Sequence, residues 1–171
     1  MTEQAPAPAA VNQEITSLYD FSRFNKIVVL GGGHGGLITA ILKENPQALG
    51  VLFDTEQVIS GARPKLEAAG VADRCATIAG DFFVSVPAGG DAYIMKWISP
   101  DWDDEKATRI LKNIRGQIPQ NGRVIIVDCG NERTASEFDR LLTSAGFRFL
   151  RVIPTGVPTR LPTSIVEAEP A

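Results

Sequence analysis

The sequence predicts an α/β domain built on a doubly wound, mostly parallel sheet that ends in a C-terminal antiparallel hairpin. Three observations predict it. Apolar runs of strand length alternate with segments of helical period between Lys26 and Ala145, the rhythm of a parallel sheet covered on both faces. A glycine-rich loop, Gly31-Gly32-Gly33-His34-Gly35-Gly36, separates the first such strand from the first such helix. Finally, the last two strand-like runs are joined by a proline-rich loop, Pro154 to Thr163, with no helix between them. That suits an antiparallel return better than a parallel crossover, which normally carries a helix.

The elements follow in order. Met1 to Gln13 is rich in Ala, Pro and Gln and almost lacks large apolar residues, so residues 1–14 read as a loose tail that cannot offset its ordering entropy. The domain is expected over residues 15–171. Ile15, Leu18, Tyr19, Phe21 and Phe24 suit a short amphipathic turn or helix leading into it. Lys26 to Leu30 reads as the first strand, and Gly35 to Glu44 as a helix with Leu37, Ile38, Ile41 and Leu42 on one face. Gly50 to Phe53 is the second strand, Glu56 to Ala69 is helical despite Pro64, and Cys75 to Ile78 is the third strand. Asp91 to Trp97 is the fourth strand, followed by a helix over Asp103 to Gln117 with Ala107, Ile110, Leu111 and Ile114 inward. Arg123 to Asp128 is the fifth strand, and Thr134 to Ala145 is a helix that stops at Gly146, the residue type expected past a helix C-terminus. Phe147 to Ile153 and Ser164 to Ala168 form the closing pair.

A chain of 171 residues suits one domain with one continuous core. Its 17 Lys and Arg against 20 Asp and Glu give a net charge of −3, with no dense basic cluster interleaved with aromatics, so nucleic acid is not an expected partner. The apolar runs are too short to span a bilayer and no secretory leader is recognisable, which predicts a cytoplasmic protein without a membrane partner. Two cysteines, Cys75 and Cys129, without C-x-x-C spacing, and a single histidine argue against a metal site or a disulfide framework. The two thiols read as small buried apolar groups.

The glycine loop lies where backbone N–H groups approach an anion or a ribose without a side chain intervening. Gly31, Gly33 and Gly36 also satisfy G-x-G-x-x-G, so a dinucleotide stays in play, as does a tight turn with no ligand. Asp54, at the end of the second strand, can accept both hydroxyls of a ribose laid across the first two strand ends; otherwise it is a solvated strand-end carboxylate. Gly80-Asp81-Phe82-Phe83 follows the third strand. It supplies a carboxylate for an exocyclic amine and an aromatic wall for an adenine, or else core packing with Asp81 capping a turn.

Together these motifs, with Tyr19-Asp20-Phe21-Ser22, Gly50-Val51-Leu52-Phe53-Asp54, Lys96-Trp97-Ile98, Asp101-Trp102-Asp103-Asp104-Glu105 and Asn131-Glu132-Arg133-Thr134, resemble the cofactor domain of S-adenosylmethionine-dependent O-methyltransferases of the plant caffeate and bacterial polyketide-tailoring types. The resemblance implies a class I methyltransferase (Rossmann-like) fold and S-adenosyl-L-methionine as cofactor. It places the methionine end on Gly31, Gly33 and Gly35, the ribose on Asp54, the adenine on Asp81 and Phe82, and Lys96 along the cofactor. It also matches Asp128 and Glu132 to acidic positions that assist a catalytic histidine, against the plainer readings of a strand-end carboxylate and a helix first-turn Glu favoured by the dipole, and implies a small-molecule acceptor.

Four departures from the family pattern bear on catalysis. The family's N-terminal dimerisation domain is not recognisable in this sequence, so no dimer is carried over. Val29 stands where the family has an Asp beneath the glycine loop, and Pro100 where it has the general base. The connection from Asp128 to Glu132 is only Cys129-Gly130-Asn131, whereas the family places a long pocket-lining segment there. A neutral phenol benefits from losing its proton to a neighbouring base, which proline cannot supply. His34, in the cofactor loop, reads as a packing or loop residue. The acidic run from Asp101 to Glu105 reads as a helix-start cluster, and Trp97 and Trp102 as anchors of the sheet-helix layer. Three readings stand side by side: an O-methyltransferase domain acting on a hydroxyl with an impaired base, a truncated or engineered cofactor-binding domain without methyl transfer, and a nicotinamide-dependent oxidoreductase.

Overall fold

The structure is a computed structural model of the chain that describes residues 8–31, 34–96, 104–129, 134–154 and 163–171. Seven strands form one sheet: β1 (Lys26–Leu30), β2 (Leu49–Asp54), β3 (Cys75–Ala79), β4 (Ala92–Lys96), β5 (Arg123–Cys129), β6 (Phe147–Pro154) and β7 (Thr163–Pro170), in the order β3-β2-β1-β4-β5-β7-β6. The first five strands pair in parallel, and β7 runs antiparallel to both β5 and β6. The expected parallel sheet and antiparallel ending are both present. Among the described residues five α-helices, α1 (Pro8–Leu18), α2 (Gly36–Glu44), α3 (Glu56–Ala68), α4 (Asp104–Arg115) and α5 (Ala135–Ser144), cover the two faces.

Strand alternation sorts the core into two layers, because successive side chains point to opposite faces. Ile27, Val29, Leu52, Ile94, Ile125 and Val127 face α1, α2 and α3. Val28, Val51, Phe53, Tyr93, Met95, Val124 and Ile126 face α4 and α5. The helices answer with their own period: Ala107, Ile110, Leu111 and Ile114 of α4 are all buried, while Asp104 and Glu105 occupy its first turn and Lys112 and Arg115 its last, the arrangement the helix dipole favours. At α5 the Thr134 hydroxyl accepts from the Glu137 N–H at 3.2 Å, and the chain leaves the helix through Gly146 at φ 93°.

The start of the chain differs from the sequence expectation. Helix α1 begins at Pro8, so residues 8–14, read as part of a loose tail, are helical. Asn12 is 4% exposed and Ile15 is fully buried. The composition of this segment is poor in large apolar residues, but its neighbour α2 supplies the missing surface, which local composition does not reveal. The segment after α1 is held by Glu167 of β7, which is 5% exposed. Its carboxylate accepts from the Tyr19 hydroxyl, from Arg23 at 3.2 Å and from Arg151 at 3.0 Å. A second β7 carboxylate, Glu169, pairs with Arg123 at 3.2 Å and with Arg148.

Candidate functional site

In a parallel sheet, a strand order that reverses direction leaves a crevice at the carboxyl ends of the diverging strands. Here β2 lies on one side of β1 and β4 on the other, so the crevice opens above Leu30, whose register partners are Phe53 and Met95. The backbone ties these ends together: Gly31 N–H donates to Phe53 C=O at 2.9 Å, and Gly80 N–H to Asp54 C=O at 3.0 Å. Gly31, Asp54, Gly80 and Lys96 therefore stand at the same edge.

The glycine loop needs its glycines for conformation. Gly31 has φ 69° and Gly35 φ 88°, left-handed values that a side chain disfavours by about 1–2 kcal/mol. The loop is also gripped from three sides. A Cβ at Gly31 would sit 3.6 Å from the Phe82 ring, one at Gly35 3.1 Å from Leu66 of α3, and one at Gly36 only 2.8 Å from the Asn12 amide nitrogen of α1. Val29 is fully buried directly below, in the apolar layer with α1 to α3.

Asp54 is 9% exposed, and one of its carboxylate oxygens accepts from Thr55 N–H at 2.7 Å. Asp81 is exposed, with Oδ1 accepting from Phe83 N–H at 2.9 Å, so it does cap the turn after β3. Phe82 and Phe83 are half-buried, tilted at 52° with centroids 5.2 Å apart, and packed on the layer beneath α4 and α5. The Phe82 carbonyl accepts from Asn113 Nδ2 of α4 at 2.9 Å. Turn capping and core contact thus coexist with a position at the crevice: the ring lies beside Gly31 while Asp54 stands on the neighbouring strand end.

The structure sets Phe82 against Gly31 and puts Asp54 at the neighbouring strand end, with Gly35 at the start of α2 and Asp81 in the turn after β3. Lys96 closes β4 and Asp128 lies in β5, opposite Ser164 of β7; their side chains lie outside the described residues, as do Gly33, Pro100, Trp97, Trp102 and Glu132. Asn12 was not anticipated at this site. Its position one turn before Ile15 and Thr16, on the face of α1 that is buried, was the signal available. Cys75 is buried on β3, and burial pushes its thiol up to about 11. Among the described residues no group of three His, Cys, Asp or Glu gathers that could hold a metal, and no helix is long and apolar enough to cross a membrane.

Comparison with known proteins places this arrangement. A family model for the O-methyltransferase domain matches residues 7–130. The phenazine O-methyltransferase of Lysobacter antibioticus is 39% identical over 190 residues, covering 98% of this chain and 54% of that protein. The matched stretch is longer than the 171-residue chain, so gaps open within it. The solved mitomycin 7-O-methyltransferase superposes with a TM-score of 0.89 at 32% identity, covering 95% of this chain and 54% of the other. A methyltransferase of calicheamicin biosynthesis, in an SAH-bound form, gives 0.83 at 33% identity with the same coverage. The chain spans about half the length of the curated relatives it matches.

Proposed function

The chain belongs to the O-methyltransferase domain family, and from that premise we propose that it binds S-adenosylmethionine across the β1/β4 crevice and serves methyl transfer to a hydroxyl of a small molecule. The observation that carries the reading is the Phe82 ring beside Gly31 with the nearly buried Asp54 on the next strand end. That trio offers a backbone cradle, a ribose acceptor and an aromatic wall within one crevice. In this assignment Gly31, Gly33 and Gly35 receive the methionine end, Asp54 the ribose, and Asp81 with Phe82 the adenine, with Lys96 along the cofactor. When bound, the donor would supply an electrophilic sulfonium methyl group: the acceptor oxygen would form the new C–O bond as the C–S bond breaks to leave the neutral thioether, and the hydroxyl proton would pass to water or to an acidic side chain.

Proton removal is the weak step. Pro100 occupies the base position of the family pattern, which leaves Asp128 and Glu132 as the acids near the acceptor. Positioning alone supplies much of the acceleration of such a displacement, so an acceptor that is already acidic suits this site best. A cytoplasmic setting belongs to the same proposal. The second reading, a cofactor-binding domain without methyl transfer, is favoured by the same Pro100 and by the three-residue connection from Asp128 to Glu132.

Calorimetric titration of the chain with S-adenosylmethionine, S-adenosylhomocysteine and NAD tests the first claim: the two adenosyl ligands are expected to bind. Binding of NAD alone would sink it. A methyl-transfer assay over phenolic and carboxylic acceptors then separates the two readings. Activity that rises on phenols in Pro100→His supports transfer, and no transfer in either form supports the binding domain.

A further inference from the structure

Five of the six residues between Leu30 and Leu37 are glycine, so His34 is the one side chain this loop can use as an anchor. The structure lays one edge of its exposed ring in a notch on α3. A Cβ added at Gly61 would stand 3.0 Å from His34 Cε1 and 3.2 Å from Nδ1, so the imidazole edge occupies the space that any other residue at 61 would fill. Gly61 lies inside α3 and is half-buried, a place where glycine weakens a helix relative to alanine. The notch therefore comes at the expense of local helix stability. One helical turn further on, Leu66 of the same helix packs against Gly35. Consecutive loop residues thus rest on α3, one by insertion and one by apolar contact.

We propose that His34 is a positioning residue: its ring edge, set in the Gly61 notch, anchors the Gly35-Gly36 end of the otherwise side-chain-free glycine loop, the loop that receives the methionine end of the donor. The idea rests on the proposed cofactor reading. A glycine-rich loop loses more conformational freedom on ordering than any other, so a loop ordered in advance spares the ligand that cost. The clasp acts on the loop and not on the nucleoside half of the crevice, where Asp54 closes β2 and Phe82 lies in the turn after β3.

The test is a double-mutant cycle on the full chain, titrated with S-adenosylhomocysteine and, separately, with adenosine, which lacks the methionine end. His34→Ala and Gly61→Ala are each expected to weaken S-adenosylhomocysteine by about fivefold, and the double variant by no more than either single one, as for residues acting through one contact. Adenosine affinity stays unchanged, and the melting temperature of Gly61→Ala is equal to or above that of the parent. Unchanged S-adenosylhomocysteine affinity in His34→Ala, multiplicative losses in the double variant, or a parallel loss of adenosine affinity overturns the proposal. If the parent chain binds neither ligand, the cofactor reading fails. Amide hydrogen exchange at Gly35 and Gly36 in the ligand-free chain then judges the clasp by itself, faster exchange in both single variants supporting it and unchanged exchange refuting it.

Discussion

Two carboxylates, at opposite ends of the sheet order, are buried to nearly the same degree and serve different ends. Glu167, 5% exposed, is surrounded by the Tyr19 hydroxyl, Arg23 and Arg151. Asp54, 9% exposed, accepts from the adjacent Thr55 N–H and stands at the mouth of the crevice. A buried charge held by three side chains from two distant segments is part of the scaffold. A buried charge whose partner among the described residues is its own turn, beside the switch point in the sheet, retains capacity for a ligand. Burial alone does not mark a site; the origin of the partners does.

The largest expected effect is on the scaffold side. Glu167→Gln removes the counter-charge of two arginines that are roughly half exposed and can rehydrate, so the loss of stability should be about 2 kcal/mol, below the value for a fully buried pair. Urea denaturation measures it, and S-adenosylhomocysteine affinity should not move. Asp54→Ala is expected to do the reverse: it weakens cofactor binding by more than about 1 kcal/mol, the scale of a charge-assisted hydrogen bond, with little change in denaturation midpoint. If either substitution shifts both properties, the contrast between scaffold and site breaks.

Alkaline pH sharpens the contrast without a ligand. Burial and then the hydrogen bond to Glu167 hold the Tyr19 phenol above its ordinary 10.0, and burial lifts Cys75 from 9.0 to about 11. In both cases the native state favours the protonated form. This stabilisation is complete below the ordinary value and is lost as pH rises through the raised one. Denaturation free energy should therefore decline above pH 9, and Cys75→Ala should flatten the decline between pH 9 and 11. Tyr19→Phe should flatten it above pH 10. The smallest effect belongs to Arg63→Ala, whose pair with Glu56 spans 4.0 Å with both side chains exposed; less than about 0.5 kcal/mol is expected.

Local patterns carried most of the fold. Strands β1 to β5 and helices α2 to α5 lie where apolar period placed them, within a residue or two, and the proline-rich stretch after Ile153 announced the antiparallel ending. What local pattern could not carry was contact between distant segments. The helix from Pro8 exists because α2 packs against it, and nothing within residues 8–14 states that. Glu167 is a lone acidic residue within the run Ser164 to Ala168, yet its partners come from residues 19, 23 and 151. At the site, the positions of Gly31, Asp54 and Phe82 followed from motif order along the sheet. Asn12 against Gly36 and His34 against Gly61 did not, because a missing Cβ leaves no mark until the opposing side chain is seen.

The place of β7 has a consequence for how the chain is made. Five strands in a row, ending at Cys129, can assemble as synthesis proceeds, and the crevice edge formed by β1, β2 and β4 is complete once Lys96 has emerged. The seventh strand is the latest in sequence but fills an interior slot, between β5 and β6. Until residues 163–170 arrive, β5 has a raw flank and β6 has no neighbour, both open to pairing with other chains. The half that carries the crevice can thus be shaped on the ribosome, while protection of the far half from aggregation waits for β7.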